Sequence, residues 1–317
     1  MLGLGRRGVS TASFSIVLLA FLKNIPMFQS ALICTDLTDG LYRLARFIPS
    51  LVESGLNKIV FLHTAPLADG AVPRPDTEKV EQARDRLSEA LVNVPPGVEV
   101  LLDIKSGRPI DHIPDALRTH NVDLMILGTP GRSLLNEKLF GSTTINLCQR
   151  TPVPVMILRP QLISTYTNEE LALRCRHLFR YFMIPFNGTE ASQYVIDQIK
   201  DLVTAKPSVL ESCVLCWVVD EVSRNADLRQ NELERAKRLL AVAKQELEAV
   251  GLQVTTDLRL GNPVIEVLDL AIDYDISAIA SASRNVGKLI ELSVPSLTGD
   301  LLRRSWHPII YFPMARK

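Results

Sequence analysis

The sequence predicts an α/β fold of two tandem doubly wound domains, each a five-stranded parallel sheet of order 3-2-1-4-5 with helices on both faces. Three observations carry this expectation. Short apolar runs, among them Ser30 to Thr35, Ile59 to His63 and Leu124 to Leu127, alternate with stretches of helical period, and strands with no polar face belong in a sheet covered on both sides. The pattern then returns: Gly107-Arg-Pro-Ile is answered by Gly261-Asn-Pro-Val at an offset of 154 residues, and Pro154 by Pro308 at the same offset. A chain of 317 residues also has the length of two ordinary domains.

In chain order, residues 1–26 stand apart. Arg6 and Arg7 precede a short apolar run, Phe14 to Leu22, in the manner of a signal peptide, but the run is short for a bilayer and no small-x-small cleavage site follows. These residues are expected to be a poorly ordered extension. Domain one is expected over 27–160. Its first strand, Ser30 to Thr35, closes on Asp36; Thr38 and Asp39 can cap a helix through Leu51 that Pro49 bends. Ile59 to His63 is the second strand, Thr64 to Pro75 a polar loop, and Thr77 to Leu91 an amphipathic helix. A third strand, Val98 to Ile104, leads past Gly107 to a helix over Pro109 to His120, and Leu124 to Leu127 is the fourth strand. A fourth helix and a β-branched fifth strand, Val153 to Leu158, complete the unit.

A linker over 161–178 separates this unit from a second one over 179–317. Tyr181 to Phe186, Cys213 to Val219 and Val254 to Leu260 answer the first three strands, and Leu228 to Val250 is a long amphipathic helix.

Composition narrows the function. Lys plus Arg and Asp plus Glu are both 35, so no global field draws in nucleic acid or an acidic membrane. Five cysteines without regular spacing fit a reducing compartment. Cys213 and Cys216 form a CxxC, yet in a strand positions i and i+3 face opposite ways, so they read as buried structural thiols. The five histidines show no metal-ligand spacing, and His63, closing a buried strand, reads as a satisfied core residue. No Walker loop and no G-x-S-x-G elbow is present.

The informative stretch is LMILGTPGRSLLNEKLFGSTTINLCQRTPVPVMILR, from Leu124 to Arg159. Gly128, Gly131 and Gly141 let backbone approach a bulky anion with no Cβ in the way, and Ser142 and Thr143 add hydroxyls at an expected helix start, where free N–H groups favour phosphate. A loop that only ends a strand is the alternative reading of the same glycines. In a parallel sheet ligands lie beyond the carboxyl ends of the strands at the switch point. The order 3-2-1-4-5 would place Asp36, after strand one, beside Gly128, after strand four. In the second copy Asp36 is answered by Asn187, and Gly128, Gly131 and Gly141 become Ala282, Asn285 and Pro295, which keeps the fold but removes the close approach.

The strand-one aspartate, the G-x-P before the third helix and GTPGRSLLNEKLFGST followed by TPVPVMIL together resemble the universal stress protein family. The resemblance spans residues 28–317 as a tandem pair and implies an ATP-binding first copy. It places Asp36 at the adenosine, Thr64 by the adenine, Leu127 and Gly128 at the loop entrance, and Gly131, Gly141, Ser142 and Thr143 on the phosphates. It further implies ATP, with or without Mg, as the ligand of a cytoplasmic regulatory protein in the stress response; groups to position an attacking water are not evident in the sequence, so a slow ATP hydrolase is the alternative. It also implies pairing of the two domains through their last strands, Val153 to Leu158 against Ile309 to Phe312, and leaves a homodimer open. Pro152, Pro154 and Pro308 at the starts of those runs suit edge strands. A scaffold of the same fold that binds no nucleotide is the alternative from a different class; an ATP pyrophosphatase would need an SGGxDS-like loop where CTDLTD stands.

Overall fold

A computed structural model of the chain describes residues 27–38, 40–68, 70, 73–129, 151–205, 209–220, 226–283 and 296–314. The expected extension over 1–26 and the fourth helix of the first copy lie outside them. The α/β architecture in two tandem copies is present.

The first copy runs β1 (Ser30–Cys34), a 3-10 helix (Gly40–Phe47), α1 (Ile48–Glu53), β2 (Lys58–Ala65), a two-residue hairpin β3 (Leu67–Ala68) and β4 (Arg74–Pro75), α2 (Thr77–Leu87), β5 (Glu99–Ser106), α3 (Pro109–His120), β6 (Leu124–Gly128) and β7 (Val155–Leu158). The linker is two short helices, α4 (Pro160–Thr165) and α5 (Asn168–Arg176), the latter closed by a capping box between Thr167 and Glu170. The second copy follows as β8 (Tyr181–Pro185), α6 (Glu190–Ala205), β9 (Ser212–Val219), α7 (Ala226–Glu248), β10 (Gln253–Leu260), α8 (Pro263–Asp273), β11 (Ala278–Ser283), α9 (Leu297–Arg304) and β12 (Ile309–Pro313).

Two local departures from expectation have physical causes. The helix expected after Thr38 is 3-10 up to Phe47, because Pro49 has no N–H to bond back four residues and its ring crowds that turn. This segment also packs hard on the linker: a Cβ on Gly40 would lie 2.5 Å from the Pro160 carbonyl oxygen. The loop expected over Thr64 to Pro75 contains the small antiparallel pair Leu67–Pro75 and Ala68–Arg74.

The main strands form one ten-stranded sheet, β10-β9-β8-β11-β12-β7-β6-β1-β2-β5. Every neighbour is parallel except β7 and β12, which run antiparallel with Ile309 opposite Ile157 and Tyr311 opposite Val155. Both strands therefore have partners on each side. Pro154 and Pro308 precede the first strand residues, where no N–H is needed, and their carbonyls still accept from Met125 N (3.0 Å) and Ile279 N (2.9 Å).

Alternating strand residues feed two apolar layers. Ala31, Ile33 and Phe61 face the layer filled by α2, α5, α6 and α7, whereas Leu32, Val60 and Leu62 face α3, α8 and α9. Cys213 lies in the first layer and Cys216 in the second; both thiols are buried, and desolvation pushes each up to about 12. The CxxC has no common side on which to work.

Candidate functional site

The carboxyl ends of β1, β2 and β6 lie side by side. Cys34 is opposite Leu62 of β2 and Leu127 of β6, and Leu127 is opposite Ile157 of β7. Thr35 N donates to Leu62 O (3.1 Å) of β2, and Thr129 N to Leu158 O (3.1 Å) of β7, continuing each ladder by one residue. The strand order reverses between β1 and β6, the point beyond the carboxyl ends at which ligands of such sheets lie.

Four expected site residues can be placed around it. Asp36 is exposed, two residues past β1, and its Oδ1 accepts from Thr38 N at 2.8 Å. Leu37 is buried at φ +64°, a left-handed conformation that costs a branched residue about 1–2 kcal/mol and is held by packing in the core. Thr64 is half-buried near the end of β2, opposite Lys105 of β5. Leu127 is buried at the end of β6, and Gly128 closes that strand opposite Leu158. Gly131, Gly141, Ser142 and Thr143 lie outside the described residues.

Neighbouring groups are already committed to structure. His63 Nδ1 donates to Thr35 O (2.9 Å), which fixes its tautomer and satisfies it in the core. Asp111 pairs with Arg108 (2.7 Å) at the surface, and His112 Nε2 donates to Ser106 O (2.9 Å). Gly107 at φ +129° and Gly261 at φ +150° explain the shared G-x-P: a backbone that L side chains rarely adopt turns each chain from edge strand to helix.

One group at the switch point has no use in the described fold. Thr129, next to Gly128, is 2% exposed, and its hydroxyl has no hydrogen-bond partner among the described residues. The sequence reading passed over it; a hydroxyl adjoining the first glycine of the loop was the available signal.

The corresponding end of the second copy contains a cavity of about 530 Å³. Its lining includes Asn187, Thr189, Ser192, Ser281, Ser283, Ser296 and Thr298 but, among the described lining residues, no Lys, Arg or His. Ser296 caps α9 by accepting from Gly299 N (3.1 Å), and Asn262 caps α8 by accepting from Val264 N (3.0 Å), so two helix starts at this end are already satisfied. Asn187 repeats the Asp36 turn, its Oδ1 accepting from Thr189 N at 3.2 Å.

The universal stress protein family model matches residues 27–159 and again 179–313. The chain belongs to that family. A curated relative of this universal stress protein, Universal stress protein MJ0577 of Methanocaldococcus jannaschii, is 23% identical over 155 residues, covering 42% of this chain and 94% of that protein. Among solved structures, a universal stress protein from Archaeoglobus fulgidus matches with a TM-score of 0.61 at 18% identity, over 90% of this chain and 96% of that one. PA1789, a functionally unknown protein from Pseudomonas aeruginosa, matches at 0.51 and 11% identity, over 90% and 92%. At these identities the structural likenesses show the fold alone. Among the described residues of this universal stress protein, no group of three or more His, Cys, Asp or Glu could hold a metal ion, and no helix is long and apolar enough to cross a membrane.

Proposed function

We propose that this universal stress protein is a cytoplasmic, nucleotide-responsive regulator in the stress response, which binds ATP, with or without Mg, in its first domain. Asp36 and Thr64 hold the adenosine side, Leu127 and Gly128 form the entrance of the loop, and Gly131, Gly141, Ser142 and Thr143 take the phosphates. The second domain keeps the fold without a working nucleotide site. The sequence carries no Walker-type loop, so the reading is nucleotide binding with slow hydrolysis at most.

The observation that supports this reading best is the strand register: Cys34 opposite Leu127 puts the chains leading to Asp36 and Gly128 side by side at the switch point, next to Thr129, whose hydroxyl has no partner among the described residues. In the second copy Asn187, Ala282, Asn285 and Pro295 stand where the first has Asp36, Gly128, Gly131 and Gly141, which agrees with a site that no longer takes a polyphosphate. Pairing of β7 with β12 inside one chain uses the last strand of each copy, so regulation by nucleotide would act on the loops at the sheet's carboxyl ends rather than on that seam.

Equilibrium ATP binding to the wild type and to Gly128→Val/Gly141→Val tests the proposal. Two added Cβ branches in the backbone cradle should weaken ATP by at least about a hundredfold, roughly 2.7 kcal/mol, with the melting temperature checked in parallel. Unchanged affinity in a folded double variant removes the site; no binding by the wild type favours the scaffold reading.

A further inference from the structure

Where the two domains meet the linker, packing leaves a cavity of about 250 Å³. Leu44 and Leu51 of the first domain, Leu162 and Ile163 of the linker, and Ile276 and Trp306 of the second domain contribute to its walls. Among the described residues of the candidate nucleotide site none lines this cavity, although its Leu158 is the strand partner of Gly128.

Its charged lining is uneven in depth. Glu170, Arg174 and Asp275 are exposed, and their fields are screened by water; Glu170 is also bound to its own helix start, accepting from Thr167 N at 2.8 Å. Arg159 is the charged lining residue withdrawn from bulk water. Its Nε donates to Ser305 O (2.8 Å) and its Nη2 to Leu302 O (2.7 Å), carbonyls at the C-terminal end of α9. A helix end supplies about half a negative charge, less than the guanidinium carries. Among the described residues no carboxylate pairs with Arg159, and burial alone pulls its pKa down. A partly dehydrated cation beside apolar walls favours an anion with an apolar body.

Size sets the class of that anion. An apolar cavity of about 150 Å³ takes a benzene ring. The larger space here suits one ring, or a short acyl chain, together with a carboxylate.

We propose that the junction cavity binds a small apolar carboxylate, with its ring or chain against Leu162, Ile163 and Trp306 and its carboxylate on the Arg159 guanidinium. Such a ligand touches both domains and the linker at once, so its binding stiffens the junction independently of nucleotide.

The probe is phenylacetate. The chain has two tryptophans, Trp217 and Trp306, and Trp217 is buried outside this cavity, so Trp217→Phe leaves Trp306 as the sole reporter. Phenylacetate should change Trp306 fluorescence saturably, and calorimetry on the wild type should show the same affinity. Arg159→Met should weaken binding by about tenfold or more. Because Arg159 also holds α9, the independent variant is Leu162→Trp, which fills the half-buried wall and should abolish the calorimetric signal in a protein of unchanged helicity. Saturating ATP should not displace phenylacetate from the wild type, which separates this site from the nucleotide site. The proposal is overturned by absence of saturable binding up to about 10 mM, by equal affinity for uncharged 2-phenylethanol, or by undiminished binding in Leu162→Trp.

Discussion

The Thr129 hydroxyl is where the cost of the candidate site is most visible. A buried hydroxyl with no partner gives up hydration without return, about 1–3 kcal/mol, and native folds rarely tolerate that without a use. If an oxygen of bound nucleotide is the missing partner, Thr129→Val removes the cost in the free protein and the bond in the complex. The variant should melt higher by about 1 kcal/mol and bind ATP about five- to tenfold more weakly. Higher stability with unaltered ATP affinity would leave the hydroxyl without a part in binding. Asp36 carries a related lesson. Its position after the first strand was legible, but its carboxylate makes the same two-residue turn that Asn187 makes in the second copy. The turn needs only an acceptor oxygen, so what distinguishes the copies is charge, and charge is what a ligand would read. The strained Leu37 beside it, answered by Gly188 at φ +68°, was not legible, since its left-handed backbone is imposed by tertiary packing.

Helices and strands were legible in proportion to how much of their cause is local. Pro109 at the first turn and Asn121 in the left-handed conformation bound α3 with residues that have those preferences on their own, and the expected range over Pro109 to His120 is the observed one. The helix Glu190–Ala205 was not singled out, although its amphipathic pattern was there to read. A feature no local pattern reveals is a polar pin repeated on the two outer strands. On β5, Asp103 accepts from His120 (2.9 Å) and pairs with Lys105 (3.0 Å); on β10, Asp257 accepts from Tyr274 (3.1 Å) and pairs with Arg259 (2.9 Å). These residues correspond at the same 154-residue offset, but joining a strand residue to a helix residue 17 positions later requires the fold. Charged groups along an outer strand also discourage pairing with another sheet edge. Burial resists ionisation of Asp103, yet the bonds from His120 and Lys105 outweigh it and hold the carboxyl below the usual range. A carboxyl lowered on folding stabilises above its unfolded value of about 3.9, and the gain is lost as pH falls through the folded value. Asp103→Asn should therefore cost about 1–3 kcal/mol near neutrality, and the gap to wild type should close below about pH 4 in urea titrations. A gap that persists in acid would assign the loss to packing.

Over the whole molecule, the antiparallel seam between β7 and β12 merges two repeats into a single sheet, and the residues around the seam tie each repeat to the other. Arg159 reaches from the end of β7 to the carbonyls of α9, and Arg43 donates to the linker carbonyls of Ile163 and Tyr166. The tandem repeat itself was legible from paired motifs, but this junction gathers side chains from three distant stretches, and nothing in their spacing announces it. Two histidines near it respond to pH in one direction. Burial lowers the His307 pKa, with Arg174 adding to the effect, and burial followed by Arg180 and Arg176 lowers that of His177; Asp275 opposes both shifts, and Glu211 opposes that of His177. A histidine lowered on folding is held neutral by the native state, so it stabilises above its unfolded pKa of about 6.5, and that contribution disappears as pH falls through the folded values. Acidification from about pH 6.5 toward 5 should thus loosen the junction before the carboxylate pins on the outer strands are titrated. Melting temperature should fall over that window, and His307→Gln, which cannot gain the proton, should flatten the slope while leaving ATP affinity at neutral pH unchanged. Parallel pH profiles for variant and wild type would remove His307 from the cause, and a coincident loss of ATP binding would show that the junction and the nucleotide site are coupled rather than independent.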